Sequence, residues 1–135
     1  MEMERKSKTR AQKVLECLTD GRARSPSEIF NETKVTKLDS LLHHMWKKGL
    51  ILASQIVYTY KPVQRKGKWI WSRSRQRFYI IRKGKEEEKK AKVTYETFDK
   101  RQGCLVKVEE ELTFTTYEKA KDKIEKELLN WFSNY

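Results

Sequence analysis

Between residues 40 and 85 twelve lysines and arginines occur without one aspartate or glutamate, where the chain-wide proportion of 19 acids to 31 bases would place about seven. The flanking stretches, 1–39 and 86–135, together carry 19 charges of each sign, so the whole net charge of +12 falls in this one segment. Cations gathered at one place neutralise phosphates and release their counterions, a chemistry that suits a polyanionic partner. Charge that served solubility alone would need no such segregation by sign. Trp69 and Trp71 stand among these cations, two residues apart and so on one face of an extended strand. That face offers either a stacking surface for bases or apolar cover for a core.

Other reactive residue types do not assemble into a catalytic set. Cys17 and Cys104 are far apart, with no CxxC or Cys/His cluster, and both lie in apolar patterns expected of small core residues. His43 and His44 are adjacent, so on a helix they point about 100° apart and make a poor metal pair. Glutamates 86–88 and 109–111 lie in charged runs, and no glycine-rich phosphate loop is present. The sequence therefore predicts a binding protein, not an enzyme, with no cofactor and no metal. No apolar run reaches a membrane span, and the charged start MEMERKSKTR is unlike a secretion signal, so a cytoplasmic location is expected.

The elements that must position the cations can be read from periodicity and caps. A polar arm, 1–8, precedes a first helix in which Ala11, Val14, Leu15 and Leu18 recur at helical spacing up to Asp20-Gly21. Ser25-Pro26-Ser27-Glu28 supplies a capping box and an N1 proline for a short second helix over 26–33. Thr36 is expected to cap a third helix, 36–48, whose stripe of Leu38, Leu41, Leu42, Met45 and Trp46 ends at Gly49. β-Branched and aromatic residues then predict three strands, Gln55–Lys61, Lys68–Arg73 and Arg77–Arg82. Residues 85–92 read as a charged linker. Alternation on either side of a turn at Asp99–Gly103 predicts a second hairpin, and a last helix from Thr116 carries Tyr117, Ala120, Ile124, Leu128, Trp131, Phe132 and Tyr135 on one stripe.

The α+β order of helix, helix, longer helix and basic hairpin resembles the winged helix-turn-helix family over about residues 9–84. Ser25-Pro26-Ser27-Glu28-Ile29-Phe30, the series Leu38, Leu41, Leu42, Met45 with Gly49-Leu50-Ile51, and Phe78-Tyr79-Ile80-Ile81 carry the resemblance. It implies a third helix in the major groove and a hairpin wing on the minor groove or backbone. Positioned that way, the outer face of the third helix presents Thr36, Ser40, His43, His44 and Lys47, with Lys37 and Lys48 at its edges toward phosphates. No Arg or Asn occupies this face, so strong bidentate base reading is not expected. Arg65, Lys66, Lys68, Arg73, Arg75 and Arg77 crowd around two candidate wing tips, Gln64–Gly67 and Ser74–Gln76.

The leading expectation is a double-stranded DNA-binding transcriptional regulator or nucleoid-associated factor acting by occlusion or bending, with residues 93–135 as a homodimerisation element. Two alternatives stand beside it. One is an accessory factor of replication, repair or RNA handling that engages single strands through the tryptophan hairpin. The other is a winged helix whose basic face meets an acidic protein. For the tryptophans themselves, the favoured expectation is that at least one lies in the core or a subunit contact.

Overall fold

The computed structural model describes residues 8–122. Over these residues the protein is α+β. Helices α1 (Arg10–Leu18), α2 (Pro26–Thr33) and α3 (Leu38–Lys47) are followed by strands β1 (Ile51–Ser54), β2 (Val57–Arg65), β3 (Lys68–Gln76), β4 (Tyr79–Ile81), β5 (Glu88–Asp99) and β6 (Cys104–Thr115). Residues 117–122 then begin a further helix. The helix starts follow local chemistry. Thr9 and Gln12 satisfy one another's backbone amides at the start of α1, and Ser25 and Glu28 do the same for α2.

Helix α3 begins differently from expectation. Its N-cap is Lys37, in a left-handed conformation (φ 56°) with no side-chain cap, and Thr36 stays outside the helix. The Arg10 guanidinium holds this turn instead, donating to the carbonyls of Thr36 (2.6 Å) and Lys37 (3.3 Å). At the other end Gly49 takes φ 80°, and its amide and that of Leu50 donate back to the carbonyls of Trp46 and Met45.

Four strands form a curled antiparallel sheet in the order β4-β1-β6-β5, and β2 and β3 pair only with each other. Every residue of β1 is buried, because both faces of this central strand are covered. Ile51, Ala53 and Tyr79 join Val14, Leu18, Ile29, Leu42 and Met45 in a core beneath the helices. On the opposite face Leu52, Phe78, Ile80, Val93, Leu112 and Phe114 form a second core inside the curl. Trp46 ties α3 to the sheet by donating its indole N–H to the Thr115 carbonyl at 2.9 Å.

Two sequence expectations require correction here. Residues 88–92 are not linker but the first part of β5, paired with 111–115 of β6. Alternation explains this: Lys89, Ala91, Val93 and Tyr95 turn partly or wholly inward, while Lys90, Lys92 and Thr94 face solvent. Residues 93–115 belong to the same sheet as β1, since β6 lies between β1 and β5 and buries Leu112 and Phe114 completely. Finally, Cys104 is exposed at the turn end of the β5–β6 hairpin, away from both cores. Of the expected terminal stripe, Tyr117 and Ala120 pack against the helical core; Ile124, Leu128, Trp131, Phe132 and Tyr135 lie outside the described residues, as does most of the 1–8 arm. Among the described residues no helix is long and apolar enough to cross a membrane.

Candidate nucleic-acid interface

The β2–β3 hairpin is an arm that leaves the sheet at Val57 and returns at Phe78. Its tip is Lys66-Gly67, both at positive φ (51° and 76°), between the paired residues Arg65 and Lys68. Two consecutive left-handed residues make the tight turn that suits the twist of flanking strands, and glycine takes one of them without strain. The tip therefore lies at Gln64–Gly67. The other candidate, Ser74–Gln76, runs within β3, where Ser74 pairs with Thr59 and Arg75 with Tyr58.

Residues directly opposite in an antiparallel pair share a face, which sorts the arm into two surfaces. One carries Tyr58 with Arg75, Tyr60 with Arg73, Pro62 with Trp71, and Gln64 with Trp69. The reverse carries Thr59 with Ser74, Lys61 with Ser72, Val63 with Ile70, and Arg65 with Lys68. All four aromatic rings thus stand on one side with Arg73 and Arg75, while Lys61, Arg65 and Lys68 stand on the reverse and Lys66 lies at the tip.

Neither tryptophan is a core residue: Trp69 is 69% exposed and Trp71 41%. The physical reason is topological, because among the described residues β3 pairs with no strand but β2 and no helix packs extensively on the arm. The turn of the β5–β6 hairpin reaches the arm's middle. Thr97 accepts the Tyr60 amide at 2.8 Å, Phe98 lies 5.6 Å from Trp71 in a tilted contact, and the Lys100 ammonium stands 5.4 Å from the rings of both Tyr60 and Trp71. Nearer the base, the Arg73 guanidinium covers Tyr58 at 4.8 Å.

On α3 the expected outward residues Ser40, His43, His44, Lys47 and Lys48 are all exposed, as are Thr36 and Lys37 in the preceding turn. The face is not wholly open. Tyr117 stands edge-on to His43 (5.6 Å) and Trp46 (5.1 Å), and the Lys47 ammonium lies 5.5 Å from its ring. Helical spacing within α3 could not reveal this neighbour, which arrives from 71 residues further along the chain. Asp39 is also exposed in the first turn and sets a negative charge near Lys37, one of the residues expected to face phosphate.

Among the wing candidates Arg65, Lys66, Lys68, Arg73 and Arg75 are exposed on the arm. Arg77 has a different job. Half-buried at the arm's root, it donates to the Ser54 carbonyl at 2.8 Å and lies 4.9 Å from the Trp46 ring. Arg82 similarly donates to the carbonyls of Glu86 and Gly49. Every ion pair among the described residues draws its base from outside residues 40–85: Lys8, Arg24, Lys92 and Lys119.

One small titratable cluster links α1, α2 and the loop between them. Cys17 is partly buried and donates to Glu32 at 3.1 Å; burial first and this hydrogen bond second push its thiol up to about 11, which keeps it protonated and weakly nucleophilic at neutral pH. Glu32 also accepts from Arg24, which reaches on to Asp20. Among the described residues no three His, Cys, Asp or Glu side chains stand close enough together to hold a metal ion. The chain matches no protein-family model, no curated protein and no solved structure.

Proposed function

We propose that this protein binds double-stranded DNA as a winged helix-turn-helix, with α3 toward the major groove and the β2–β3 arm as the wing. The order of elements supports this reading: three helices, the Arg24–Tyr79 bridge, strand β1, a long hairpin and the returning strand β4. One observation carries the binding claim. Eight of the twelve acid-free cations of residues 40–85 lie at α3 or along the arm, and none of the twelve is neutralised by an ion pair among the described residues.

Phosphate contacts fall to Lys37, Lys47, Lys48, Arg65, Lys66, Lys68, Arg73 and Arg75, with Ser40 and His44 nearest to base edges. Such a surface holds the duplex mainly by its backbone and groove shape, which fits an architectural factor or a regulator that acts by occlusion or bending. Arg77 supports the wing from its root and does not touch DNA. Fluorescence anisotropy of a labelled duplex across a salt series tests the proposal. The log of the association constant should fall with log salt by about 0.9 for each phosphate neutralised, and a slope of several units is expected. Salt-independent binding, or none at low salt, would overturn it.

A further inference from the structure

We infer that the outer half of the β2–β3 arm is a stacking platform for unpaired bases, so that the preferred ligand is a duplex bordered by single strand. The inference rests on the nucleic-acid reading above and narrows its substrate.

Trp69 is 69% exposed on a strand beside a turn, where small and polar residues would serve folding equally well. Trp71 lies two residues along on the same face, so the two side chains leave the strand about 6.7 Å apart. That distance is twice the rise of about 3.4 Å between stacked bases, a spacing commensurate with successive bases along a strand. The platform is held in place. Phe98 braces Trp71 from one side, and Thr97 fixes the strand beneath by accepting the Tyr60 amide. Lys100 sits over Trp71 and Tyr60 and sets a cation beside the platform, the charge that a nucleotide's phosphate requires.

Charge selects the occupant. A second copy of this chain seated on the indole face would bring the same Arg73, Arg75 and Lys100 against themselves, whereas a nucleic acid brings phosphates to cations and π-faces to indoles. Because every base has a π-face, the platform reads the presence of unpaired bases and not their sequence.

Anisotropy titrations with a blunt duplex, the same duplex with a short deoxyribonucleotide overhang, and the same duplex with a ribonucleotide overhang test this. The wild-type protein should bind at least one overhung probe about tenfold more tightly than the blunt one, the gain expected from one stacked base. Trp69→Ala should erase that gain and leave blunt-duplex affinity unchanged, while Trp69→Phe should keep part of it. Which overhang is preferred separates DNA from RNA as the source of the single strand. Equal binding of blunt and overhung probes by the wild type would overturn the platform and leave duplex binding standing. Binding of no probe would overturn both. Light scattering closes the other route: a dimer of the free protein that Trp69→Ala converts to monomer would assign the indoles to self-association and also overturn the inference.

Discussion

The molecule contains two long antiparallel hairpins of unlike character. The arm over 57–76 carries six bases and no acid, whereas the β5–β6 hairpin over 88–115 carries six of each. The second hairpin settles its charges internally, as in the Lys92–Glu109 pair and the Tyr95 hydroxyl donating to Glu110 at 2.8 Å. Its root fills a core with Val93, Leu112 and Phe114. The arm instead pairs none of its cations with an acid among the described residues and shows Trp69, its most exposed aromatic, to solvent. Similar backbone architecture thus differs in what it presents: β5–β6 holds the sheet together and braces the arm, and the arm leaves its cations and an indole open to solvent.

Breaking the structural hairpin should have the largest effect. Phe114→Ala removes a fully buried ring and is expected to cost about 3–5 kcal/mol in denaturant unfolding, while Trp69→Ala at the exposed tip should stay within about 0.5 kcal/mol. Comparable losses at the two sites would dissolve the distinction between them. The next effect is on binding. Reversing two charges on the arm, Arg73→Glu with Arg75→Glu, should lower duplex affinity at low salt by at least about tenfold and flatten the salt slope by about two units. The same reversal on the other hairpin, Lys90→Glu with Lys107→Glu, should change affinity much less. Titrations of both double variants against one duplex make the comparison directly.

The smallest effect concerns the polar cross-strand contact of β5–β6. Burial, reinforced by donation to the Glu110 carboxylate, pushes the Tyr95 phenol up to about 12. The folded state therefore holds this proton more tightly than the unfolded chain. The resulting stability is intact below the ordinary tyrosine range, near 10, and is lost as pH rises through it toward about 12. Tyr95→Phe should cost about 1 kcal/mol or less at neutral pH and remove this part of the alkaline loss, read by thermal melts across that pH window.

The helices were legible because their causes are local. Thr9 and Ser25 cap by reaching three residues ahead, and the stripe of α3 lies within a single decade of sequence. The Lys66-Gly67 turn was legible among the candidates for the same reason. Strand β1 was not read, since a strand buried on both faces shows an apolar run, Ile51-Leu52-Ala53, with no alternation to mark it. The start of β5 reads as linker because its charges dominate composition, and the partner that makes it a strand, 111–115, is 19 to 27 residues away. Alternation placed Trp69 and Trp71 together but could not say which side of the arm had a neighbour. The contacts of Tyr117 with α3 and of Phe98 and Lys100 with the arm are likewise long-range, and no spacing within either element announces them.

The central claim is that the arm and the outward face of α3 meet nucleic acid while β5–β6 serves structure. Amide chemical-shift mapping of the folded protein titrated with duplex DNA tests it most directly. The account predicts shifts concentrated at Ser40, His44, Lys47, Lys66, Lys68, Arg73 and Arg75, with the β5–β6 strands unmoved from Val93 to Tyr95 and from Glu109 to Phe114. Shifts concentrated on those strands, with the arm silent, would contradict it.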